Sequence, residues 1–311
     1  EAQVVAGRIS WYGVSSNNVG RDAHDPESVS LTRLLSAAAA AASRGMPRHH
    51  FAVLQCPMNV FESDAWSRPN NGPEHEQTVL ELAREQDIAV LVNRPLNAMP
   101  GSGSGMLRLA DMAGGDGADG IDAVRRTIGE LEEEYRSKLA PMIPHSGKGL
   151  EPKQFFNWAE ELASVGSRVH GLEHWEQIEH QMIAPHINQV LQAIPRLLQG
   201  TALEQWEAWR DRYIPQFLAL LGLLRGEAAK KSRVRSQKVA ASIDPLLPES
   251  KRGESLSRKA LWVLASTPGV TSVLNGMRTV RYVEDSTAVL GWSPLSEPGA
   301  VYHAVRNVTG L

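Results

Sequence analysis

The sequence contains a single cysteine, Cys56, in 311 residues. One cysteine excludes an intramolecular disulfide framework and a four-cysteine zinc site, and it is typical of a reducing compartment, so we expect a cytoplasmic protein. No apolar run reaches about 18 residues, so we expect no membrane-spanning helix and no membrane partner. Positive charge is not in excess, because the sequence has 32 lysines and arginines and 35 aspartates and glutamates. A net charge of −3 argues against a protein that wraps nucleic acid.

The overall composition is that of a globular protein, with 42% hydrophobic and 22% charged residues. These fractions exclude a mostly disordered or collagenous chain. The length corresponds to one large domain or two ordinary ones. The sequence begins with Glu1 and shows no signal-peptide pattern, so we expect it to start inside a longer protein.

The first hundred residues predict alternating strands and helices. Apolar strands are expected near 8–14, 51–55 and 88–92, with helices between them, and a last strand is expected near 270–274. This alternation is the signature of βαβ units and of a parallel sheet.

A helical block interrupts this pattern. From Ile121 to about Ala240 the apolar spacing is helical throughout, and Pro185, Pro195 and Pro215 predict several short or kinked helices there. We therefore divide the chain into residues 1–100, a helical insertion over 101–253 and residues 254–311. The glycine-rich part of the insertion, Pro100 to Asp119, predicts a flexible loop.

Polar residues follow each predicted strand. Ser15, Ser16 and Asn17 follow the first, Gln55 ends the second, Asn93 and Arg94 end the third, and Gly276, Met277 and Arg278 follow the last. Ligands of parallel α/β proteins bind at the carboxyl ends of strands, so these residues predict a binding site. Other interpretations stay open: the serines form a turn, Gln55 is a satisfied buried group, or Arg278 caps a helix or pairs with Glu284.

Four segments also resemble the aldo-keto reductase family: WYGVSSNN at 11–18, VLQCPMNV at 53–60, VLVNRPLNA at 90–98 and STPGVTSVLNGMRTVRYVED at 266–285. Their order and separation are similar to strands five to eight of that family's (β/α)8 TIM barrel. The resemblance implies an α/β fold that is the second half of such a barrel, with the helical insertion of about 150 residues after strand seven. It also implies that the four strands are adjacent in one curved sheet, in the order in which they occur along the chain.

The resemblance implies an NADP site across the barrel mouth. Ser15 or Ser16, with Asn17 and Gln55, would hydrogen-bond the nicotinamide carboxamide, and Asn93 stands where many members stack an aromatic ring. The remaining residues implied for the pyrophosphate and adenosine parts are Arg94, Leu96, Gly276, Met277, Arg278, Tyr282 and Asp285. Among them Arg278 would lie near the 2′-phosphate, which a guanidinium group suits because it is always charged and offers forked donors.

The implied activity is NADP-dependent reduction of a small-molecule carbonyl by hydride transfer, with a tyrosine supplying the proton. The family's catalytic tyrosine, lysine, histidine and aspartate lie on its first four strands, which this chain does not resemble. We therefore expect the isolated chain to be inactive and to need a missing N-terminal half or another subunit.

The alternative is a non-catalytic, barrel-derived binding or assembly protein that uses the helical insertion for protein contacts. The histidines of the insertion, His170, His174, His180 and His186, suggest no metal site, because their spacing does not place three ligands on one helical face.

Overall fold

Two separate hydrophobic cores organise the chain. The computed structural model describes residues 1–42, 48–99, 106–111, 120–144 and 151–308. Unit 1 comprises Glu1–Asp111 and Arg235–Leu311, and unit 2 comprises Met112–Val234. Each unit has its own cluster of buried apolar side chains. In the described part of the chain no helix combines the length and the hydropathy needed to cross a membrane.

Unit 1 is a mixed α/β structure. Its strands are β1 (Tyr12–Ser15), β2 (Phe51–Pro57), β3 (Ala89–Asn93), β4 (Asn97–Ala98), β5 (Leu107–Arg108) and β6 (Ser272–Val273). Its helices are α1 (Ala2–Val5), α2 (Leu31–Ala42), α3 (Asp64–Ser67), α4 (Val79–Glu85), the end of a long helix, α9 (Thr201–Ile243), α10 (Glu249–Arg252), α11 (Leu256–Ala265), α12 (Val280–Thr287) and α13 (Pro298–Arg306). Helices α5 to α8 belong to unit 2 and are given below. Short 3-10 turns follow two of the helices, at Asp244–Leu246 and Ala288–Gly291.

A four-stranded sheet in the order β1-β2-β3-β6 forms the centre of unit 1. All three strand pairs are parallel. Both the adjacency of the four strands and their order confirm the sequence-based prediction, and they confirm an α/β fold at this level. Among the described residues, β1 and β6 are the two edges of this sheet.

The two faces of the sheet differ in burial. Leu54, Val90 and Val92 alternate with their neighbours along β2 and β3, and all three are fully buried in the core. Residues of α2, α4, α11 and α13 belong to the same core. The opposite face carries Ser15 and Gln55, which are partners in register, and these side chains are exposed and half-buried. Alternation along parallel strands thus gives one covered face and one more open face.

Local sequence signals explain where several elements begin and turn. The Thr78 side chain accepts a hydrogen bond from the Glu81 backbone N–H, and the Glu81 carboxylate accepts one from the Thr78 N–H, which is a capping box at the start of α4. Between α11 and β6, Gly269 has a φ of +93°, and a Cβ there would lie 2.9 Å from Leu80. Only glycine therefore suits this turn.

Unit 2 is helical in its described residues. Its helices are α5 (Ile121–Glu134), α6 (Trp158–Arg168), α7 (Leu172–Ile178), α8 (Ala184–Ala193) and α9 (Thr201–Ile243). π-helical segments extend α5 and join α7 to α8, at Tyr135–Leu139 and Glu179–Ile183, and 3-10 turns occupy Ala140–Met142, Pro152–Gln154 and Ile194–Arg196. The core is unusually aromatic, with Tyr135, Phe156, Trp206, Trp209 and Tyr213 in successive ring contacts.

Of the predicted short or kinked helices, a short helix is wrong for the last part of this block, and a kinked one stays a prediction. Helix α9 runs without interruption for 43 residues, with Pro215 inside it. The other two prolines behave as expected, since Pro185 lies in the first turn of α8 and Pro195 lies in a 3-10 turn. Burial of Trp209, Tyr213 and Phe217 along one side of α9 compensates for the backbone hydrogen bond that proline removes.

The last residues of α9 belong to unit 1. Unit 2 ends at Val234, and Val239 and Ile243 of α9 are buried in the core of unit 1. The division of the chain into 1–100, 101–253 and 254–311 stays a prediction. The predicted glycine-rich loop lies outside the described residues at 100–105 and 112–119. Between these, β5 pairs with β4 in a short antiparallel ladder that the sequence did not predict.

Candidate functional site

A pocket of about 340 Å³ opens in unit 1 beside the carboxyl ends of β3 and β6. Its walls come from the chain after β3, from β5, from the start of α11, and from the segment between β6 and the end of α12. The lining residues are Arg94, Pro95, Leu96, Asn97, Arg108, Ala110, Ser257, Leu274, Asn275, Gly276, Arg278, Tyr282, Asp285 and Ser286.

The pocket brings together many of the predicted site residues. Arg94 and Leu96 follow β3, and they line the same cavity as the residues of the last predicted motif, Gly276, Arg278, Tyr282 and Asp285. About 180 residues of sequence separate these two groups. They meet because β3 and β6 are neighbours in the parallel sheet, with Val92 paired to Val273.

The other predicted residues lie elsewhere along the strand ends. Ser15 and Gln55 are paired in register, and the Ser16 N–H donates to the Gln55 carbonyl at 2.9 Å. Asn17 is exposed in the loop after β1, and Met277 is exposed and does not line the pocket. The side-chain Oδ1 of Asn93 is buried and accepts no hydrogen bond among the described residues.

The turn after β3 is held in an uncommon backbone conformation. Arg94 has a φ of 56°, in the left-handed region that residues other than glycine rarely adopt. The Arg94 carbonyl accepts from the Asn97 N–H at 3.2 Å, and its guanidinium group lies 3.2 Å from the Glu62 carboxylate. This turn directs the Arg94 side chain to the pocket wall.

Hydrogen bonds of the Asn59 side chain stabilise the turn after β3. Its side chain is fully buried, and its amide donates to Glu62 Oε2 at 2.7 Å and more weakly to the carbonyls of Arg94 and Asn97. Its Oδ1 accepts from the backbone N–H groups of Phe61 and Glu62 at 3.0 and 2.9 Å. Asn59 is part of the quoted VLQCPMNV motif, but no feature of the sequence singles it out.

Asp285 is not a free carboxylate. Its Oδ1 accepts from the Ser255 hydroxyl at 3.2 Å and lies 2.9 Å from Arg258 Nε, and its Oδ2 accepts from the Ser257 hydroxyl. These contacts tie α12 to the start of α11. The role that the resemblance implied for Asp285, flanking a bound base, therefore competes with a structural role as a link between helices.

Three arginines give the pocket its electrostatic character: Arg94, Arg108 and Arg278. We call this cavity the arginine-lined pocket. Asp285 is the only carboxylate among the described residues of its lining, and it is engaged by Ser255, Ser257 and Arg258. Arg94 is paired with Glu62, and Arg278 makes no ion pair in the described part of the chain. A cavity lined by three guanidinium groups and one engaged carboxylate favours an anionic ligand, and phosphate oxygens match the forked donors of arginine.

Arg278 is exposed, and it makes no hydrogen bond or ion pair with the residues that the structure describes. The alternatives in which it caps a helix or pairs with Glu284 therefore find no support. Gln55 is half-buried rather than a satisfied core residue, and its side chain makes no hydrogen bond within the described ranges.

The histidines of unit 2 serve local contacts. The His170 and His174 rings are stacked at 5.2 Å, and His180 Nδ1 lies 2.7 Å from the Glu176 carbonyl. Across the described residues no three side chains of histidine, cysteine, aspartate or glutamate are grouped closely enough to hold a metal ion.

In the comparison with known proteins, no family model and no curated protein matches the chain.

Several residues that line the pocket were not predicted from the sequence, among them Arg108, Ser257 and Asn275. Arg108 reaches the pocket through the β4–β5 ladder, for which the sequence carries no signal. Asn275 stands directly before the Gly276 motif, so that motif could have identified it; its amide donates to Ser286 Oγ at 2.7 Å.

Proposed function

We propose that the arginine-lined pocket binds the adenosine 2′-phosphate end of NADP(H), and that the chain supplies cofactor-binding strands of an aldo-keto reductase-type oxidoreductase. The observation that carries the proposal is the convergence of Arg94, Arg108 and Arg278 on one pocket at the carboxyl ends of parallel strands. Residues named from the sequence resemblance supply much of the lining, and they form a single cavity.

The residues fit such a ligand in charge and size. Arg278 has an exposed guanidinium group without a partner in the described chain, and the Tyr282 ring is 49% exposed beside it in the lining. A phosphate would accept from arginine, and a purine base would pack on a tyrosine ring. A volume of about 340 Å³ suits one nucleotide rather than a whole dinucleotide.

The nicotinamide end would then follow the strand ends toward β2 and β1. Asn93, with its buried and unsatisfied Oδ1, is the first polar group in that direction, and Gln55 and Ser15 follow on the adjacent strands. Bound NADPH supplies the hydride for carbonyl reduction. The residues of this chain would bind and orient the cofactor, and the catalytic groups of the family belong to strands that this sequence does not resemble.

The same proposal interprets the sheet as strands five to eight of a (β/α)8 barrel. Its strands are parallel and follow one another in chain order, which is the arrangement of consecutive barrel strands. The more open face carries small and polar residues such as Gly13, Ser15 and Gln55, and β1 and β6 present free edges in the described chain. Free edges of this kind suit pairing with further strands.

Nucleotide binding tests the proposal without requiring turnover. In isothermal titration, adenosine 2′,5′-bisphosphate should bind more tightly than its 3′,5′ isomer and than AMP. Arg278→Ala should weaken binding of the 2′,5′ compound by about 1.5–3 kcal/mol, the range for a charged hydrogen bond, and leave AMP nearly unchanged.

Arg281→Ala provides the matched control. Arg281 is an exposed arginine on α12, three residues after Arg278, but it does not line the pocket. Equal losses for Arg278→Ala and Arg281→Ala, or equal losses for both nucleotides, would reject a specific 2′-phosphate site. The absence of any preference among the three nucleotides would reject NADP as the ligand.

A further inference from the structure

Unit 2 contains a second cavity, of about 400 Å³, that the proposed function does not use. Its walls are largely apolar, with Phe155 before α6, Trp158 on α6, and Ile178 and Met182 on the opposite helices. A volume of this size lies within the range of roughly 300–1,000 Å³ that small-molecule sites occupy. All of the residues that line it belong to unit 2.

One wall of the cavity is an irregular helix. The π-helical segment Glu179–Ile183 joins α7 to α8, and it contributes Met182 and Ile183 to the lining. A π-helical turn widens the helix and is less favourable than α-helix, and such turns occur frequently at functional sites. Met182 is 63% exposed, so the cavity opens toward solvent on this side.

Trp158 presents an unsatisfied donor in the same wall. The residue is 8% exposed, and its indole Nε1 is buried with no hydrogen-bond partner among the described residues. Buried indole N–H groups normally find an acceptor. The His186 ring meets the Trp158 ring edge-on at 5.4 Å, so one end of the cavity is aromatic.

The charge of the lining selects the class of ligand. Within the described ranges, Glu161 is the only acidic residue in the lining, and no lysine or arginine lines the cavity. Glu161 is exposed and makes no ion pair in the described part of the chain. A carboxylate beside apolar and aromatic walls attracts a cation with an apolar body and repels an anion.

We propose that this cavity binds a small organic amine, with its apolar body between Phe155 and Ile178 and its ammonium group at Glu161. An acceptor atom on the ligand would satisfy Trp158 Nε1 but is not required for binding. The site is separate from the arginine-lined pocket, which favours the opposite charge. The amine is therefore a ligand of the helical unit in its own right.

Three probes that share one apolar body test the charge preference on the full chain. Phenylbutylamine, phenylbutanol and phenylpentanoate share a phenyl ring and four methylene groups and differ only in the head group, and isothermal titration gives an affinity for each. We expect the amine to bind most tightly and the acid most weakly. Glu161→Gln should reduce the affinity for the amine by about two- to fivefold, as an exposed ion pair allows, and leave the alcohol unchanged.

Two further variants separate the site from general effects. Glu160→Gln removes the neighbouring exposed carboxylate, which does not line the cavity, and should change none of the affinities. Val165→Phe adds bulk to a half-buried lining position and should reduce binding of amine and alcohol alike, with thermal unfolding confirming that the variant is folded.

Four results would overturn the proposal. They are no binding of any probe, tightest binding of the acid, an equal effect of Glu160→Gln and Glu161→Gln, and unchanged binding to a folded Val165→Phe variant.

Discussion

Replacing Asn59 with aspartate isolates the interaction that holds the turn of Arg94. Aspartate has the same shape as asparagine and still accepts from the backbone N–H groups of Phe61 and Glu62, which lie at 3.0 and 2.9 Å. It cannot donate to Glu62 Oε2, which now receives a hydrogen bond of 2.7 Å. The substitution therefore exchanges one donor for a second carboxylate and leaves the packing unchanged.

The expected loss of stability follows from these contacts. A hydrogen bond from an amide to a carboxylate contributes about 1.5–3 kcal/mol, and leaving Glu62 opposite a like charge adds to the loss. Because the Glu62 side chain is 26% exposed, solvent screens part of this repulsion. We expect Asn59→Asp to lower the free energy of unfolding of unit 1 by about 2–4 kcal/mol at about pH 8.

The loss should depend on pH. Burial and the nearby Glu62 carboxylate raise the pKa of the introduced carboxyl in the folded state, and its protonated form can donate as asparagine does. The variant should therefore be most stable relative to the native protein below the pKa of an unfolded aspartate. It should lose that stability as pH rises through the raised folded-state pKa.

Unfolding in urea, followed by labelling of Cys56, measures this loss in unit 1. Cys56 is the single cysteine and is buried in β2, so its reaction reports the opening of this unit. Adding Glu62→Gln should rescue Asn59→Asp, because the new amide can donate to the introduced carboxylate. Asn70→Asp, at another buried asparagine, should not be rescued by Glu62→Gln. A loss independent of pH, or no rescue, would refute the reasoning.

Three further predictions concern single residues. Burial raises the pKa of the Cys56 thiol to about 12, so native protein should resist aromatic disulfide reagents near neutral pH, and rapid native labelling would contradict this. Burial also raises the pKa of Glu132 in the folded protein. The contribution of Glu132 to the free energy of unfolding should therefore fall as pH rises through that folded-state pKa. Glu132→Gln should make the free energy of unfolding of unit 2, measured in urea, depend less on pH. A Cβ at Gly222, inside α9, would meet no atom within 4 Å. Gly222→Ala should therefore raise the free energy of unfolding of unit 2 in urea by about 0.5–1 kcal/mol. A lower urea concentration at the midpoint of unfolding would argue against this prediction.

Strand order and the grouping of site residues were accessible from the sequence. Apolar runs such as Ile88 to Val92, each followed by a helix, predict a parallel sheet because parallel strands need crossover connections. The carboxyl ends of neighbouring parallel strands lie on one edge of the sheet, so the sequence predicts that Arg94 and Arg278 lie close together. Both residues line the arginine-lined pocket.

Other features were decided by tertiary contacts that no local pattern encodes. Pro215 predicts a break in a helix, but burial of its neighbours Tyr213 and Phe217 in an aromatic core maintains α9. Arg108 joins the pocket only because two residues of β5 pair with β4. The sequence by itself thus determined the position and the parallel direction of the strands, because local periodicity sets the first and connection length sets the second. Their order was expected from the resemblance of the four segments to consecutive barrel strands. The tertiary structure alone decided which distant polar groups meet, because long-range packing positions each side chain through residues that carry no motif of their own.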